Sequence, residues 1–305
     1  MSNSEAAASS PWKWVDVDRH QEDPLPPVTE DDDRPAVKDL ILKHSDTIQQ
    51  VRANIKDHPL YDAKKHDDLW VLRFVLSQKK VKPATAAAIS TLKYRQDKGY
   101  DERDIRGDWP GRTCSQEGVR KYWACLEEDA LAFSIPHPDR GVALFVRFAG
   151  FDQHKLVEDL TLEEWPFSYC AEWTFQQLDS ITRRTGRLTK SVRVVDLAGY
   201  RTNQMSRENI NRDAADAKIF EDHYPQCLRS LFVCHAPTWL QVPFKLFRPL
   251  MPKRFIEKFN FINPSKNKKE AALFLKFMTV DHLPTRFGGN YKEWPVPARI
   301  EPAEH

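Results

Sequence analysis

No apolar run in this 305-residue sequence approaches the ~20 residues that a transmembrane helix requires. The opening stretch MSNSEAAASS has no basic segment followed by an apolar one, so no signal peptide is expected. CxxC spacing is absent: Cys114, Cys125, Cys170, Cys227 and Cys234 are scattered and odd in number, which reads as reduced thiols in an intracellular protein. The one N-x-S/T match, Asn263-Pro264-Ser265, is blocked by its proline. Charge of one sign is also lacking. The net +2 argues neither for a nucleic acid partner nor against one, and none is expected. Internal repeats are absent. So are G-x-S-x-G, a Walker loop, G-x-G-x-x-G and H-E-x-x-H. His223 and Cys227 lie four apart across a proline, without the turn context that a Cys/His nucleophile needs. The expectation is a soluble cytoplasmic protein that is no enzyme and holds no metal or cofactor.

What is present centres on Tyr224–Met251, YPQCLRSLFVCHAPTWLQVPFKLFRPLM. Leu228–Cys234 is a nearly continuous apolar run of strand length. His235-Ala236-Pro237 breaks it, Thr238 is an N-cap candidate, and a helix is predicted from Trp239 to about Arg248, stopped by Pro249. Pro243 lies just past its first turn and should bend it. Its polar residues Gln241, Lys245 and Arg248 form one narrow stripe, and Trp239, Leu240, Val242, Phe244, Leu246, Phe247 and Leu250 fill the rest. A helix apolar nearly all round is either a core helix or meets something apolar besides its own protein.

The ordered set of YP, a strand ending in HAP, FKLFRPLM, FIEKFNFI and LPTRFGG resembles the CRAL-TRIO lipid-binding family, over roughly Leu69 to Gly289. The resemblance implies a mixed α/β sheet floored by helices around a hydrophobic lipid pocket, preceded by a small all-helical subdomain. It makes Trp239–Leu250 a gate, with Trp239, Leu240, Phe244, Phe247 and Leu250 facing the pocket or its mouth. The helical subdomain of the family carries L-R-F-L-R-A-R-K. Here VLRFVLSQKK keeps Arg73-Phe74 and places Leu76 and Gln78 where later arginines stand. Headgroup residues depart further. Members that bind phosphatidylinositol follow YP with Glu-Arg, where this chain has Gln226-Cys227; Lys258 in FIEKFNFI matches their lysine. Members that bind phosphatidylcholine resemble D-L-K-G-x-S-x-S, and the counterpart here, Asp196 to Asn203, offers Arg201 and Asn203 in place of the two serines, with Thr202 out of register between them. A lysine or arginine can grip a phosphate, but inositol recognition loses its charged acceptor.

Lipid affinity needs no motif. At roughly 0.8 kcal/mol per CH₂, one C16 chain gains on the order of 10 kcal/mol on leaving water. It needs a pocket, a movable lid and a few polar groups. The basic residues Lys245, Arg248, Lys253 and Arg254 crowd around the gate, which suits docking on an anionic membrane surface.

Four regions are expected. Residues 1–35 are Pro- and acid-rich and read as a flexible arm, with Trp12 and Trp14 as docking candidates and residues 12–35 as a possible protein-partner segment. Residues 36–108 form the helical subdomain, 109–292 the lipid-binding domain, and 293–305 a tail. The helical subdomain opens with one helix over Val37–Ile55. Within the domain, Pro138-Asp139-Arg140-Gly141 signals a hairpin, Leu162–Thr185 a long helix, Val192–Leu197 a strand, Met205–Phe220 a helix and Phe259–Ile262 a last strand. A helix over Lys269–Met278 follows. The β-α-β order implies parallel pairing through right-handed crossovers. The expected function is binding of one phospholipid or other lipid-like ligand by a monomer that works peripherally at membranes. The alternative is a regulatory interaction module whose pocket is vestigial.

Overall fold

The computed structural model describes residues 30–290 except 31, 128–129, 138–139, 162–163, 205, 241–243, 246–247, 265–266 and 282. Trp12, Trp14, Phe247 and the expected tail therefore lie outside the described residues.

Four helices come first: α1 (Val37–Lys43), α2 (Ser45–Ile55), α3 (Asp68–Gln78) and α4 (Val81–Lys98). The expected single helix over 37–55 divides at His44, whose φ of −112° and ψ of 15° leave helical geometry. Asp67 caps α3, its Oδ1 accepting from the Trp70 amide at 3.0 Å. Gly99, at φ +64°, ends α4 in the left-handed conformation that glycine takes without penalty. Ile48, Val51, Leu72, Phe74, Ala88 and Leu92 form the small core of this subdomain.

The rest is a layered α/β domain. Helix α5 (Glu117–Ala124) precedes β1 (Leu131–His137) and β2 (Gly141–Arg147), joined as the expected antiparallel hairpin. Then follow α6 (Gln153–Asp159), α7 (Phe167–Thr185), β3 (Ser191–Asp196), α8 (Arg207–His223), β4 (Leu228–Cys234) and β5 (Phe259–Ile262). The five strands lie in chain order, and β2 to β5 are parallel. The expected helix at 269–278 is shorter: Lys268–Ala271 is helical, and Phe274–Lys276 is a separate tight turn.

Strand alternation assigns the two faces of the sheet. Ala143, Phe145, Val192, Val194, Phe232 and Cys234 point to one side, where Phe274, Phe277, Met278, Leu283 and Phe287 cover them. This cover depends on the FGG turn: a Cβ on Gly289 would lie 1.9 Å from the Leu283 carbonyl oxygen. The alternate residues, Leu144, Val146, Arg193, Val195, Leu231 and Val233, face the helices α7 and α8.

Helix α7 is buried almost throughout, and its two faces differ in chemistry. Ala171, Phe175 and Leu178 belong to the apolar core. Glu172, Gln176, Asp179 and Ser180 are equally buried yet polar. These meet arginines of the N-terminal region. Arg95 Nη1 and Nη2 donate to the two Glu172 carboxylate oxygens at 2.8 and 3.0 Å, Arg73 donates to Asp179 at 3.2 Å, and Arg106 to Ser180 at 2.9 Å. Residues 32–35, expected to belong to a loose arm, are docked as well. Arg34 is 5% exposed and donates to Asp32 and to Thr189, and the Leu188 amide donates to the Pro35 carbonyl.

Removing one partner of a buried ion pair strands the other charge. Glu172→Ala is expected to lower unfolding free energy by about 3–5 kcal/mol, whereas Arg95→Met with Glu172→Leu recovers most of it. Urea denaturation of both variants checks this; a loss below about 1 kcal/mol for Glu172→Ala would contradict the anchoring role.

Candidate functional site

Between the sheet and its helical layer lies a cavity of about 320 Å³. Its floor is the alternate set just described, extended by Phe259 and Phe261 of β5. Phe167, Ala171 and Thr174 of α7 and Ile210, Asp213, Asp216 and Ala217 of α8 form the roof. Leu240, Phe244, Met251 and Phe255 close one side. Phe244 packs against Phe259 and Phe261 with ring centroids 5.6 and 5.1 Å away. Trp239 leans on Tyr200 at 5.8 Å.

The segment expected to be a gate helix from Trp239 to about Arg248 begins and ends, where described, in tight turns. Thr238–Leu240 and Arg248–Leu250 are 3-10 turns, and Phe244 and Lys245 are helical. The preceding break has a physical anchor. His235 sits at φ +53°, costly for a residue with a Cβ, and its Nδ1 lies 2.8 Å from the buried Asp196 carboxylate. Phe261, which lines the cavity, is 47% exposed, and Leu250, next in sequence to the lining Met251, is 54% exposed; Lys245, Arg248 and Lys253 in the same stretch are exposed as well. Arg254 is occupied: it donates to Ser77 Oγ and Gln78 Oε1 at 3.0 and 3.1 Å, tying the segment after the gate to α3.

None of the expected headgroup residues lines this cavity. Arg201 and Asn203 are exposed in the turn around Thr202–Gln204, at the C-terminal end of β3. Gln226, Cys227 and Lys258 lie at the opposite end of the parallel strands. Six residues at ~3.3 Å each put the two sets about 20 Å apart, too far to grip one headgroup. Gln226 takes φ +64° and accepts from Lys190 Nζ at 2.6 Å. Lys258 pairs with Glu221. Cys227 is fully buried, and burial pushes its thiol up to about 11. His223 does not activate it: its ring stacks on Tyr94 at 4.2 Å and its Nδ1 meets Thr91 Oγ1 at 3.3 Å. Burial raises Cys114 to about 12 and Cys125, Cys170 and Cys234 also upward, so these thiols stay protonated rather than nucleophilic. Near Gln226 a smaller cleft of about 200 Å³ gathers Arg34, Arg140, Lys190, Arg229 and Lys276 with Asp33. There burial, with Lys258, Arg73 and Arg229 nearby, pushes Lys190 down to about 8.

The polar groups that do line the cavity are others: the neutral Gln153, Thr174, Ser191 and Asn209, and three charged residues. Arg193 of β3 lies over the rings of Phe220 and Phe167, 4.9 and 5.7 Å from their centroids. Asp213 and Asp216 project from α8, and Trp165 Nε1 donates to Asp216 Oδ2 at 2.7 Å. Burial pushes both carboxyls up to about 7, against the pull of Arg193. The sequence held a signal for them: Asp213 and Asp216 share a helix face with Ile210, Ala217 and Phe220, and Arg193 interrupts the inward set Ser191, Val195.

A parallel sheet with an apolar cavity under two crossover helices and an apolar segment at its mouth defines a small-molecule binding protein for greasy ligands. Residues 139–289 match the CRAL/TRIO domain, and the chain belongs to the CRAL-TRIO family, which binds lipophilic ligands and transfers them. It is 23% identical over 253 residues to the SEC14 cytosolic factor of Eremothecium gossypii, covering 82% of this chain and 77% of that protein. The crystal structure of Sfh5 shares the fold, with a TM-score of 0.53 over 90% of this chain and 93% of that one, at 11% identity.

The raised carboxyls set a direction in pH. Below about pH 4 Asp213 and Asp216 are protonated folded or unfolded; between about 4 and 7 only the folded state keeps its protons, so stability falls as pH rises. Arg193, Arg212, Trp165, Tyr122 and Cys170 face the pair and set this balance. Asp213→Asn with Asp216→Asn is expected to gain on the order of 2–4 kcal/mol relative to wild type between about pH 4 and pH 7. Denaturation at several pH values checks it; a difference constant with pH would contradict it.

Proposed function

We propose that this protein binds one lipid-like molecule in the cavity between its sheet and α7 and α8, and carries or presents it at membranes without covalent chemistry. The open apolar cavity carries this reading. Unfilled apolar space costs stability in proportion to its volume, so a cavity with no ligand to hold is a pure loss. That argument favours a carrier over an interaction module with a vestigial pocket.

The mouth supports exchange at a membrane. Leu250 and Phe261 are exposed apolar residues beside Lys245, Arg248 and Lys253, the combination that inserts into an anionic interface. Gate opening there would let an acyl or isoprenoid chain pass between bilayer and cavity, and closure in water would keep it dry. Among the described residues no helix is long and apolar enough to cross a membrane. The relative named a cytosolic factor agrees with peripheral, reversible docking from the cytosol. The divergent residues Gln226, Cys227, Arg201 and Asn203 do not support inositol or choline recognition in the cavity.

Phe244→Asp with Leu250→Asp is expected to slow transfer of a fluorescent lipid between anionic vesicles by about tenfold or more, the protein remaining folded. Transfer at the wild-type rate would contradict the gate.

A further inference from the structure

Arg193, Asp213 and Asp216 put the formal charges into a cavity wall whose other residues are apolar or neutral, Gln153, Thr174, Ser191 and Asn209 among the latter. Nothing in the fold requires them there. Hydrophobic residues of similar size would pack the same face without the cost of desolvating ions. The three groups are also underused. Trp165 binds one oxygen of Asp216, and the guanidinium of Arg193 lies over the Phe220 and Phe167 rings within the field of both carboxyls. Among the described residues, Asp213, the second Asp216 oxygen and the Arg193 nitrogens have no hydrogen-bond partner.

We infer that Arg193, Asp213 and Asp216 form a seat for the hydroxyl group of a neutral lipid, such as a long-chain or ring-system alcohol, held inside the cavity. This rests on the lipid-carrier reading above and deepens it. The chemistry selects the class by elimination. Two carboxyls and one guanidinium carry one excess negative charge when fully ionised. With each carboxyl pushed up to about 7, both are about half protonated near neutral pH, and the seat is close to neutral overall. A hydroxyl both donates and accepts, so it can give its proton to a carboxylate oxygen while accepting from Arg193. A phosphate or fatty-acid carboxylate would bring negative charge against two acidic groups. An amine would bring positive charge against Arg193. An ether or hydrocarbon would leave the carboxylates unpaired, which buried polar groups resist.

The test uses four probes with one chain and different ends: hexadecanol, hexadecyl methyl ether, palmitate and hexadecylamine. Each competes against a fluorescent apolar probe bound to the full chain at neutral pH. Hexadecanol is expected to bind about tenfold tighter than the ether, with palmitate and the amine weaker than the alcohol. In Asp213→Leu with Asp216→Leu the alcohol's advantage over the ether should shrink to less than about threefold, the ether binding more tightly once no carboxylate is left unpaired beside it. If that variant does not fold, Arg193→Met is read the same way, and Asp213→Asn with Asp216→Asn should reduce the discrimination against palmitate. Four probes binding within about threefold of one another in the wild type would overturn the seat and leave the carrier intact. Failure of every probe, the ether included, would overturn the carrier reading and the seat with it.

Discussion

The position of α7 decides the rest of this structure. Its buried face toward the N-terminal region is polar, and the Arg95–Glu172 and Arg73–Asp179 pairs lock the helical subdomain to it. Directional bonds of this kind fix both register and distance, which apolar packing alone does loosely. The other face of α7 then spans the sheet without filling the space beneath it. The N-terminal helices are thus a brace for the roof, reached through arginines whose partners are more than 70 residues away.

The two faces of the sheet are treated oppositely. On one, aromatic side chains from the C-terminal segment close over Phe145 and Phe232, and the Gly289 turn lets them approach. On the other, alternation sends Leu144, Val195 and Val233 toward empty space, with one arginine among them. A sheet that is sealed on one side and hollow on the other gives a firm floor, and the braced roof of α7 and α8 keeps the space above it open.

Much of the architecture was legible in residue order. The hairpin signal at Pro138–Gly141 and the short β5 emerged in place, as did β3 and β4, whose buried parallel strands read as continuous apolar runs. The family resemblance placed the helical subdomain ahead of the sheet. Less legible was what depends on long-range pairing. The break at His44 has no strong sequence marker, and Asp32–Pro35 look like a polar arm until Thr189 and Leu188 supply their partners. The site was the hardest part. Motif comparison pointed to Gln226, Lys258, Arg201 and Asn203, which the parallel strands separate to opposite ends of the sheet. Arg193, Asp213 and Asp216 match no motif. Their signal was a conflict, charges on faces whose periodicity is apolar, and such conflicts mark places where function outweighs stability.

The central claim, that the cavity holds a lipid, is tested most directly by its contents. Natively folded protein purified from cells would be extracted with organic solvent and the extract analysed by mass spectrometry, alongside a variant with the cavity blocked by Ala171→Trp. A stoichiometric lipid carrying a hydroxyl in the wild type, absent from the blocked variant, is the expected result. An empty wild-type protein that also takes up no lipid from vesicles would contradict the account.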